Sequence, residues 1–498
     1  MEKKPHIIIF NVDQWRGDVL GHLGNPAAET PNLDQLVKED AVSFSNAFCQ
    51  NPVCTPSRCS FMTGWYPHVR GHRTMYHMLH LDRDEPNLLK ILKDNGYFVW
   101  WGFRNDLIPV QQNPQDVCDL KYFPSKLDFA RWGHEKKPSL HRSHEWRGKP
   151  GSDDYYSFYA GKLDTEGDDI YFDIDWFMIL GALDFIKDYK GEKPLCMFIG
   201  LSNPHPPYGI EEPWFSKINR RKLPRRIEAP NDWSKKPSML KGIYEMQNLN
   251  GWTEDRWDEL RATYYGMCAR TDHQFGLIME ELKKVNLYDD SAIFFFSDHG
   301  DFTGDYGLVE KTQNTFEDCL TKVPFIIKPP KYIQIKPRIC DAMVELIDFS
   351  ATVYDLTGIS PDYSHFGKSL ISLLNGKTEE HRDAVFCEGG RLYGEEHAMD
   401  AQRKPGPESL YWPKQRLHMS DDGPYHGKAS MCRTNNFKYV RRLYEKDELY
   451  DLVKDPEEVN NIIDDPIYNT VLSDLKERLL TWYIETCDVV PFDTDRRF

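Results

Sequence analysis

The 498-residue sequence lacks the features that mark membrane proteins, nucleic-acid-binding proteins and disulfide-rich secreted proteins. No apolar run approaches the length of a membrane-spanning helix. The formal net charge is −16, and because nucleic acids and anionic membranes require a basic surface, we expect neither as the main partner. Eleven cysteines in so long a chain do not form a disulfide framework, and we expect most of them to be buried apolar residues.

The N-terminus also lacks a secretory signal. Residues 1–5 contain neither a long apolar stretch nor a small-residue cleavage site, and they lead directly into a strand-like run. A cytoplasmic location is therefore the default expectation, and a periplasmic or secreted one applies if a leader has been removed. Hydrophobic residues make up 40% of the sequence and aromatic residues 13%, which is enough for a substantial folded core.

Short apolar runs alternate with helix-like segments along much of the chain. Residues 6–12 and 291–297 are nearly continuous β-branched and aromatic runs, as buried parallel strands require. Further strands are predicted at 97–102, 194–202 and 323–327, and helices at 31–36, 87–94, 173–189 and 253–285. This alternation predicts an α/β fold with a large, mostly parallel sheet sandwiched by helices.

The pattern changes after residue 376. Segments 384–386, 430–432 and 438–440 are typical of a small antiparallel sheet, 448–451 and 455–458 form a turn-rich passage, and a final helix is predicted over 469–486. We therefore predict a catalytic α/β domain at 1–375 and a smaller C-terminal α+β subdomain at 376–498. Irregular stretches at 104–168 and 206–252 interrupt the larger domain, and such stretches often form pocket walls.

Polar side chains follow two of the predicted strands. Asp13 and Gln14 come directly after the first strand, and Asp298 and His299 follow the strand at 291–297. A single aspartate there often only caps a turn. Because the carboxyl ends of parallel strands share one edge of a sheet, however, the two clusters together favour a metal site. Carboxylate, amide and imidazole donors suit one hard or borderline divalent cation.

The segment 54–58 reads Cys-Thr-Pro-Ser-Arg and is followed by Thr63-Gly64. It matches the Cys-x-Pro-Ser-Arg signature of the type I sulfatases, so the chain resembles that family within the alkaline phosphatase superfamily. Further blocks match in the family's order at 30–34, 297–300 with Lys311 after it, 449–452 and 455–458. The resemblance runs from about residue 6 to 463 and implies an alkaline phosphatase-like fold.

In that family a maturation enzyme oxidises the cysteine to Cα-formylglycine. The resemblance therefore implies that Cys54 is the precursor of the nucleophile and that such an enzyme is a partner. The hydrated aldehyde is a geminal diol, and one hydroxyl, acidified by the cation, attacks the ester's sulfur or phosphorus and displaces the alcohol. The second hydroxyl loses its proton as the aldehyde re-forms, and C–O cleavage expels the anion without attack of water on the covalent intermediate.

The resemblance also implies roles for other side chains. Arg58 orients the diol and neutralises charge, and Lys311 contacts a non-bridging oxygen of the ester. His205, just after the predicted strand at 194–202, protonates the departing alkoxide. The implied ligands of one divalent metal, Ca²⁺ first and Mn²⁺ as the alternative, are Asp13, Gln14, Cys54, Asp298 and His299.

The sequence departs from the common family pattern in three places. Many sulfatases have two aspartates where this chain has Asp13-Gln14, and many have asparagine where it has His299. Both versions resemble the phosphonate monoester hydrolase and choline-sulfatase branches. The family's Gly-Lys-x-His block appears at 102–105 without its lysine and histidine, and we hypothesise that Arg104 and Asn105 replace them in substrate binding.

The leading hypothesis is a sulfatase, a sulfuric ester hydrolase that acts on aryl or carbohydrate sulfates through formylglycine and a divalent metal. The first alternative is a phosphonate monoester or phosphodiester hydrolase on the same scaffold. The second is an inactive ligand-binding homologue, against which the intact Cys54, Arg58, Asp298 and Lys311 argue.

Overall fold

The computed structural model of the protein describes residues 4–102, 104–133, 145–399, 405–494 and 496–497. The strands are β1 (His6–Asp13), β2 (Val42–Phe48), β3 (Phe98–Trp101), β4 (Leu120–Lys121), β5 (Tyr159–Lys162), β6 (Leu195–Pro204), β7 (Tyr208–Ile210), β8 (Ser291–Ser297), β9 (Phe325–Lys328), β10 (Arg338–Glu345), β11 (Val385–Gly389), β12 (Ala429–Arg433), β13 (Phe437–Arg442) and β14 (Glu448–Asp451). The α-helices are α1 (Pro31–Glu39), α2 (Cys54–Thr63), α3 (Leu88–Asp94), α4 (Lys126–Arg131), α5 (Ile174–Asp188), α6 (Trp214–Lys217), α7 (Ser238–Gln247), α8 (Glu254–Lys284), α9 (Asp318–Thr321), α10 (Asp348–Thr357), α11 (Ile371–Leu374), α12 (Trp412–His418) and α13 (Asn469–Thr486). None of the helices in the described residues has the length and apolar character needed to cross a membrane.

Eight strands form one large sheet in the order β10-β2-β9-β8-β1-β6-β3-β4. All neighbouring pairs are parallel except those of β9, which is antiparallel to both β2 and β8. The predicted mostly parallel sheet is therefore confirmed. The prediction omitted β2 and β10, because Ser43 and Ser45 in β2 and Asp341 in β10 interrupt the apolar runs on which it relied.

The central strand β1 is buried along its whole length. Its alternate side chains Ile8 and Phe10 pack on one face of the sheet with residues of α1, α5 and α8. Ile7 and Ile9 pack on the other face with residues of α2, α3 and α10. Because side chains alternate between the two faces of a strand, helices on both faces require the continuous apolar run that the sequence shows.

The four strands β11 to β14 form a separate antiparallel sheet. The helix α13 has the predicted bounds and packs on this sheet through Leu475, Leu479 and Trp482. The predicted turn-rich passage at 448–451 was wrong, because these residues form β14. The strand was missed because its two end residues, Glu448 and Asp451, are charged. Glu448 is nevertheless buried, because it forms an ion pair with Arg442. The boundary between residues 375 and 376 stays a prediction.

Buried ion pairs join the two sheets. The Asp348 carboxylate of α10 accepts a hydrogen bond from Arg382 Nε at 3.0 Å and lies 3.1 Å from His381 Nε2. Arg382 also pairs with Glu345 of β10 at 3.0 Å, and Glu345 accepts a hydrogen bond from the Phe386 N–H of β11 at 2.7 Å. Burial alone would raise the pKa of Asp348, but Arg382 outweighs it and lowers the pKa below its ordinary value.

Asp348→Asn should lower the free energy of unfolding at pH 7 by about 3–5 kcal/mol, because Arg382 stays buried with one counter-charge fewer. Since the folded-state pKa is lowered, this stabilisation is present above the unfolded pKa of about 3.9 and is lost as the pH falls below it. Urea unfolding at a series of pH values should show the difference from wild type shrinking in acid. Asp355→Asn, at an exposed position of the same helix, is the matched control, and a difference independent of pH would contradict the ion-pair explanation.

Candidate metal centre and active site

Four side chains meet at the carboxyl edge of the large sheet. Asp13 ends β1, Asp298 and His299 follow β8, and Cys54 begins α2. Their donor atoms lie within 4.8 Å of one another, and all four residues are buried. They meet because β1 and β8 are parallel neighbours in register along their length. Two carboxylates, an imidazole and a sulfur form a group that is able to hold a divalent cation.

Cys54 faces the ends of both strands. Its Sγ lies 3.5 Å from Asp13 Oδ1 and 3.3 Å from His299 Nε2. Burial, and then the Asp13 carboxylate, raise the pKa of the thiol well above its ordinary value. The unmodified side chain is therefore a protonated thiol that is held against the candidate metal ligands.

Arg58 lies one helical turn after Cys54, and its side chain is 1% exposed. Its Nε donates a hydrogen bond to Asp298 Oδ2 at 3.0 Å, and its Nη2 donates to Asp13 Oδ2 at 3.1 Å. The spacing of four residues places Cys54 and Arg58 on the same face of α2, which explains why the motif needs that spacing. Arg58 thus links the carboxylates at the ends of β1 and β8.

A second guanidinium approaches from the loop after β3. Arg104 Nη2 lies 2.7 Å from Asp13 Oδ2, and its Nε donates to Asp106 Oδ2 at 2.8 Å. Burial alone would raise the pKa of Asp13, but the Arg104 and Arg58 guanidinium groups outweigh it and hold the pKa well below its ordinary value. The sequence reasoning missed Asp106, although its position two residues after Arg104 was a usable signal.

Two of the predicted site residues make other contacts. The Asn105 amide closes its own loop, where its nitrogen donates to the Ile108 carbonyl at 2.9 Å and its oxygen accepts from the Ile108 N–H at 3.2 Å. Gln14 lies beside the cluster, but its Oε1 accepts from Lys311 Nζ at 2.6 Å and its Nε2 donates to Asp301 Oδ2 at 2.5 Å. Substrate binding by Asn105 and metal binding by Gln14 stay predictions.

His205 lies in the loop after β6, where its Nδ1 is 2.6 Å from the Pro206 carbonyl oxygen. This contact assigns the proton to Nδ1 and leaves Nε2 as the acceptor of the neutral ring. Burial, and then the nearby Lys311 ammonium, lower the pKa of His205 to about 3. The ring is therefore neutral near pH 7.

The irregular stretch predicted as a pocket wall contributes Arg104 and Asp106 to the site. Residues 134–144 of this stretch, and Phe103 just before it, lie outside the described residues. From the same stretch, the Phe158 ring lies 5.3 Å from the Tyr411 ring, centroid to centroid. Phe158 and Tyr411 also line a small cavity with Glu310 and Lys311. The role of the whole stretch as a pocket wall stays a prediction.

A comparison with protein families identifies the family to which this chain belongs. A family model described as Sulfatase matches residues 5–359. The chain belongs to the sulfatase family. A second model, described as N-sulphoglucosamine sulphohydrolase, C-terminal, matches residues 425–484 of this sulfatase. The protein is thus a sulfuric ester hydrolase by family, and the buried group around Cys54 occupies the position of the signature motif.

Relatives of this sulfatase align along almost the whole chain. The multifunctional alkaline phosphatase superfamily protein PehA of Trinickia caryophylli is 26% identical, over 97% of this chain and 96% of its own. An ulvan-active sulfatase of Formosa agariphila is 25% identical, over 96% of this chain and 80% of its own. The phosphonate monoester hydrolase structure of Agrobacterium radiobacter superimposes with a TM-score of 0.74 and 23% identity, covering 97% of this chain and 96% of that one. This similarity shows the alkaline phosphatase-like fold.

Proposed function

We propose that this sulfatase hydrolyses aryl or carbohydrate sulfate esters, and that residue 54, matured from cysteine to formylglycine, is its nucleophile. The observation that carries the proposal is the position of Cys54, whose Sγ lies 3.5 Å from Asp13 and 3.3 Å from His299. Arg58 also supports the proposal, because it lies on the same face of α2 and donates hydrogen bonds to Asp13 and Asp298. A maturation enzyme that recognises the segment around Cys54 is part of the proposal.

The donor set fits a hard divalent cation, for which we propose Ca²⁺, with Mn²⁺ as the alternative that an imidazole ligand allows. Asp13, Asp298, His299 and residue 54 would hold the ion, and the Gln14 amide oxygen is a further donor beside them. When bound, the ion supplies positive charge that acidifies the nucleophilic hydroxyl and offsets the charge of the ester. Arg58 keeps the two carboxylates in place from the side of α2.

Charge balance in the site favours esters that carry one negative charge. Four cationic side chains lie near four carboxylates: Arg58, Arg104, Lys311 and Lys414 near Asp13, Asp106, Asp298 and Glu310. The Asp301 carboxylate, which accepts a hydrogen bond from Gln14, adds a fifth negative group, so a divalent cation would be needed to offset the charge of the ionised nucleophile and the ester. A sulfate ester adds one negative charge to this site, whereas a phosphate monoester carries close to two negative charges near neutral pH.

The remaining polar side chains of the site are proposed to contact the ester and its leaving group. Lys311 and Arg104 are proposed to bind the non-bridging oxygens, because both carry positive charge beside Cys54. His205 is proposed to donate a proton to the departing alkoxide through Nε2. This role requires His205 to be an imidazolium in the ester complex, so the negative charge of the bound ester must raise its pKa above that of the ester-free site.

A phosphonate monoester or phosphodiester hydrolase remains the second candidate, because these esters also carry one negative charge and the chain has Gln14 and His299 in its metal motifs. The matured protein should be assayed side by side on an aryl sulfate, a phosphonate monoester and a phosphodiester. We expect the highest kcat/KM on the sulfate. A higher kcat/KM on either phosphorus ester would contradict the proposed sulfate substrate and favour the second candidate.

Removing the divalent cation should abolish turnover and lower the unfolding temperature, and Ca²⁺ should restore both. An ion that binds only the folded state stabilises it by about 2.7 kcal/mol at a hundred times its Kd. Thermal unfolding with and without Ca²⁺ measures this shift. Asp13→Asn should lose the shift and Asp355→Asn should keep it, whereas a wild-type unfolding temperature that does not respond to any divalent cation would contradict the metal site.

A further inference from the structure

The Lys311 ammonium is held by a carboxylate that lies outside the sulfatase signature motifs. Lys311 Nζ lies 2.8 Å from Glu310 Oε1 as an ion pair and donates a hydrogen bond to Gln14 Oε1 at 2.6 Å. The Lys311 backbone N–H also donates to Glu310 Oε2 at 2.8 Å. Because an ammonium has three N–H groups and Gln14 accepts one of them, Lys311 can also donate to an ester oxygen.

The same carboxylate binds a second lysine, from the C-terminal part of the chain. Lys414 of α12 donates from Nζ to Glu310 Oε2 at 2.6 Å and to the Lys311 carbonyl at 3.4 Å. The Lys414 side chain is 17% exposed, whereas those of Lys311 and Glu310 are 4% and 2% exposed. Glu310 therefore lies between a buried ammonium and one that reaches the solvent side.

The backbone of Glu310 has an uncommon conformation, and a hydrogen bond fixes it in place. Its φ of +71° is in the left-handed region, which residues with a side chain rarely adopt. Its N–H donates to the Tyr208 hydroxyl at 2.9 Å, and that hydroxyl donates to the Asp301 carboxylate. Burial alone would raise the pKa of Glu310, but Lys311 and Lys414 outweigh it and lower the pKa to about 2, so the carboxylate is ionised.

We propose that Glu310 is a positioning residue for Lys311, and that Lys414 acts through Glu310 to couple helix α12 to the catalytic centre. Two ammonium groups that share one carboxylate repel each other, and the carboxylate between them offsets that repulsion. Glu310 holds the Lys311 ammonium beside the ester site as its ion-pair partner, and Lys414 prevents Glu310 from drawing that ammonium away. The inference rests on the proposed function, because the work assigned to Lys311 is stabilisation of charge on the ester.

Glu310→Gln tests the positioning role, because it removes the charge and keeps the shape of the side chain. We expect kcat on a sulfate ester to fall on the order of 10²-fold with KM changed by less than about threefold, since Lys311 then loses its alignment to charge that develops in the transition state. Lys414→Met should lower kcat about tenfold, and Lys414→Arg should restore most of it, because arginine keeps the charge beside Glu310.

The double variant separates this mechanism from two independent defects. If Lys414 acts through Glu310, Lys414→Met should have little further effect in the Glu310→Gln protein. The matched control is the exposed pair on α7, where Glu245→Gln and Lys241→Met should leave kcat unchanged. Unfolding temperatures of all variants check folding, and if Glu310→Gln does not fold, the loss in Lys414→Met and its rescue by arginine carry the test.

The outcomes distinguish this inference from the proposed function. A matured wild-type protein that turns over no sulfate ester overturns the proposed function. The positioning role is overturned if the wild type is active and Glu310→Gln either retains kcat or changes only KM. Additive losses from Glu310→Gln and Lys414→Met would likewise overturn the coupling of α12 through Glu310.

Discussion

Cys54→Ala should lower the turnover of sulfate esters by at least about 10⁴-fold, the scale of losing a catalytic nucleophile. Alanine cannot be oxidised to formylglycine, so the variant has no group at residue 54 that can attack the ester. The fold should persist, because Cys54 is the first residue of α2 and alanine is compatible with a helix at that position. Single-turnover and steady-state assays of the matured wild type and the variant measure the loss.

Cys59 provides the matched control within the same helix. It is buried, and it packs in the apolar core on the α2 side of the sheet. Cys59→Ala should therefore cost about 1 kcal/mol of stability and leave kcat unchanged. Turnover by Cys54→Ala within tenfold of the wild-type rate would remove residue 54 from the chemistry.

Arg58→Met should lower kcat/KM on the order of 10²- to 10³-fold. It should also lower the free energy of unfolding by about 3–5 kcal/mol. Arg58 is 1% exposed and donates to Asp298 at 3.0 Å and to Asp13 at 3.1 Å, so methionine leaves two buried carboxylates without the cation they share. Calorimetry and kinetics on the same preparation measure both effects.

A divalent cation should compensate part of the lost stability. We expect Ca²⁺ to raise the unfolding temperature of Arg58→Met more than that of wild type, because the ion supplies positive charge to the same two carboxylates. Arg225→Met, at an exposed ion pair with Glu228, is the control that should leave stability unchanged. Wild-type stability in Arg58→Met without added metal would contradict the role of Arg58 as a buried counter-ion.

The parts of the fold that carry the site are those the sequence predicts best. β1 and β8 are buried on both faces, and burial on both faces produces the continuous apolar runs by which strands are recognised. β2 and β10 lie towards the edge of the sheet and carry polar residues within them, so their runs are interrupted. The antiparallel direction of β9 depends on the path of the chain through the fold, which no local pattern records.

The residues of the site also divide into those that the sequence predicts and those that only the structure shows. Cys54 and Arg58 share one helix face, and Asp13 and Asp298 follow recognisable strands, so motif spacing alone places them together. Glu310 is adjacent to Lys311 in the sequence, but its role depends on side-chain geometry. Lys414 is 104 residues from Glu310, and only the contact of α12 with the segment after β8 brings the two together.

Peptide mass spectrometry of the segment that contains Cys54, combined with turnover assays of the same preparations, tests the central claim most directly. The protein should be produced with graded levels of a formylglycine-generating enzyme. We predict that residue 54 is recovered as the aldehyde or its hydrate and that sulfate-ester turnover rises in proportion to the converted fraction. Residue 54 remaining entirely a thiol in protein that hydrolyses sulfate esters at the full rate would contradict the claim.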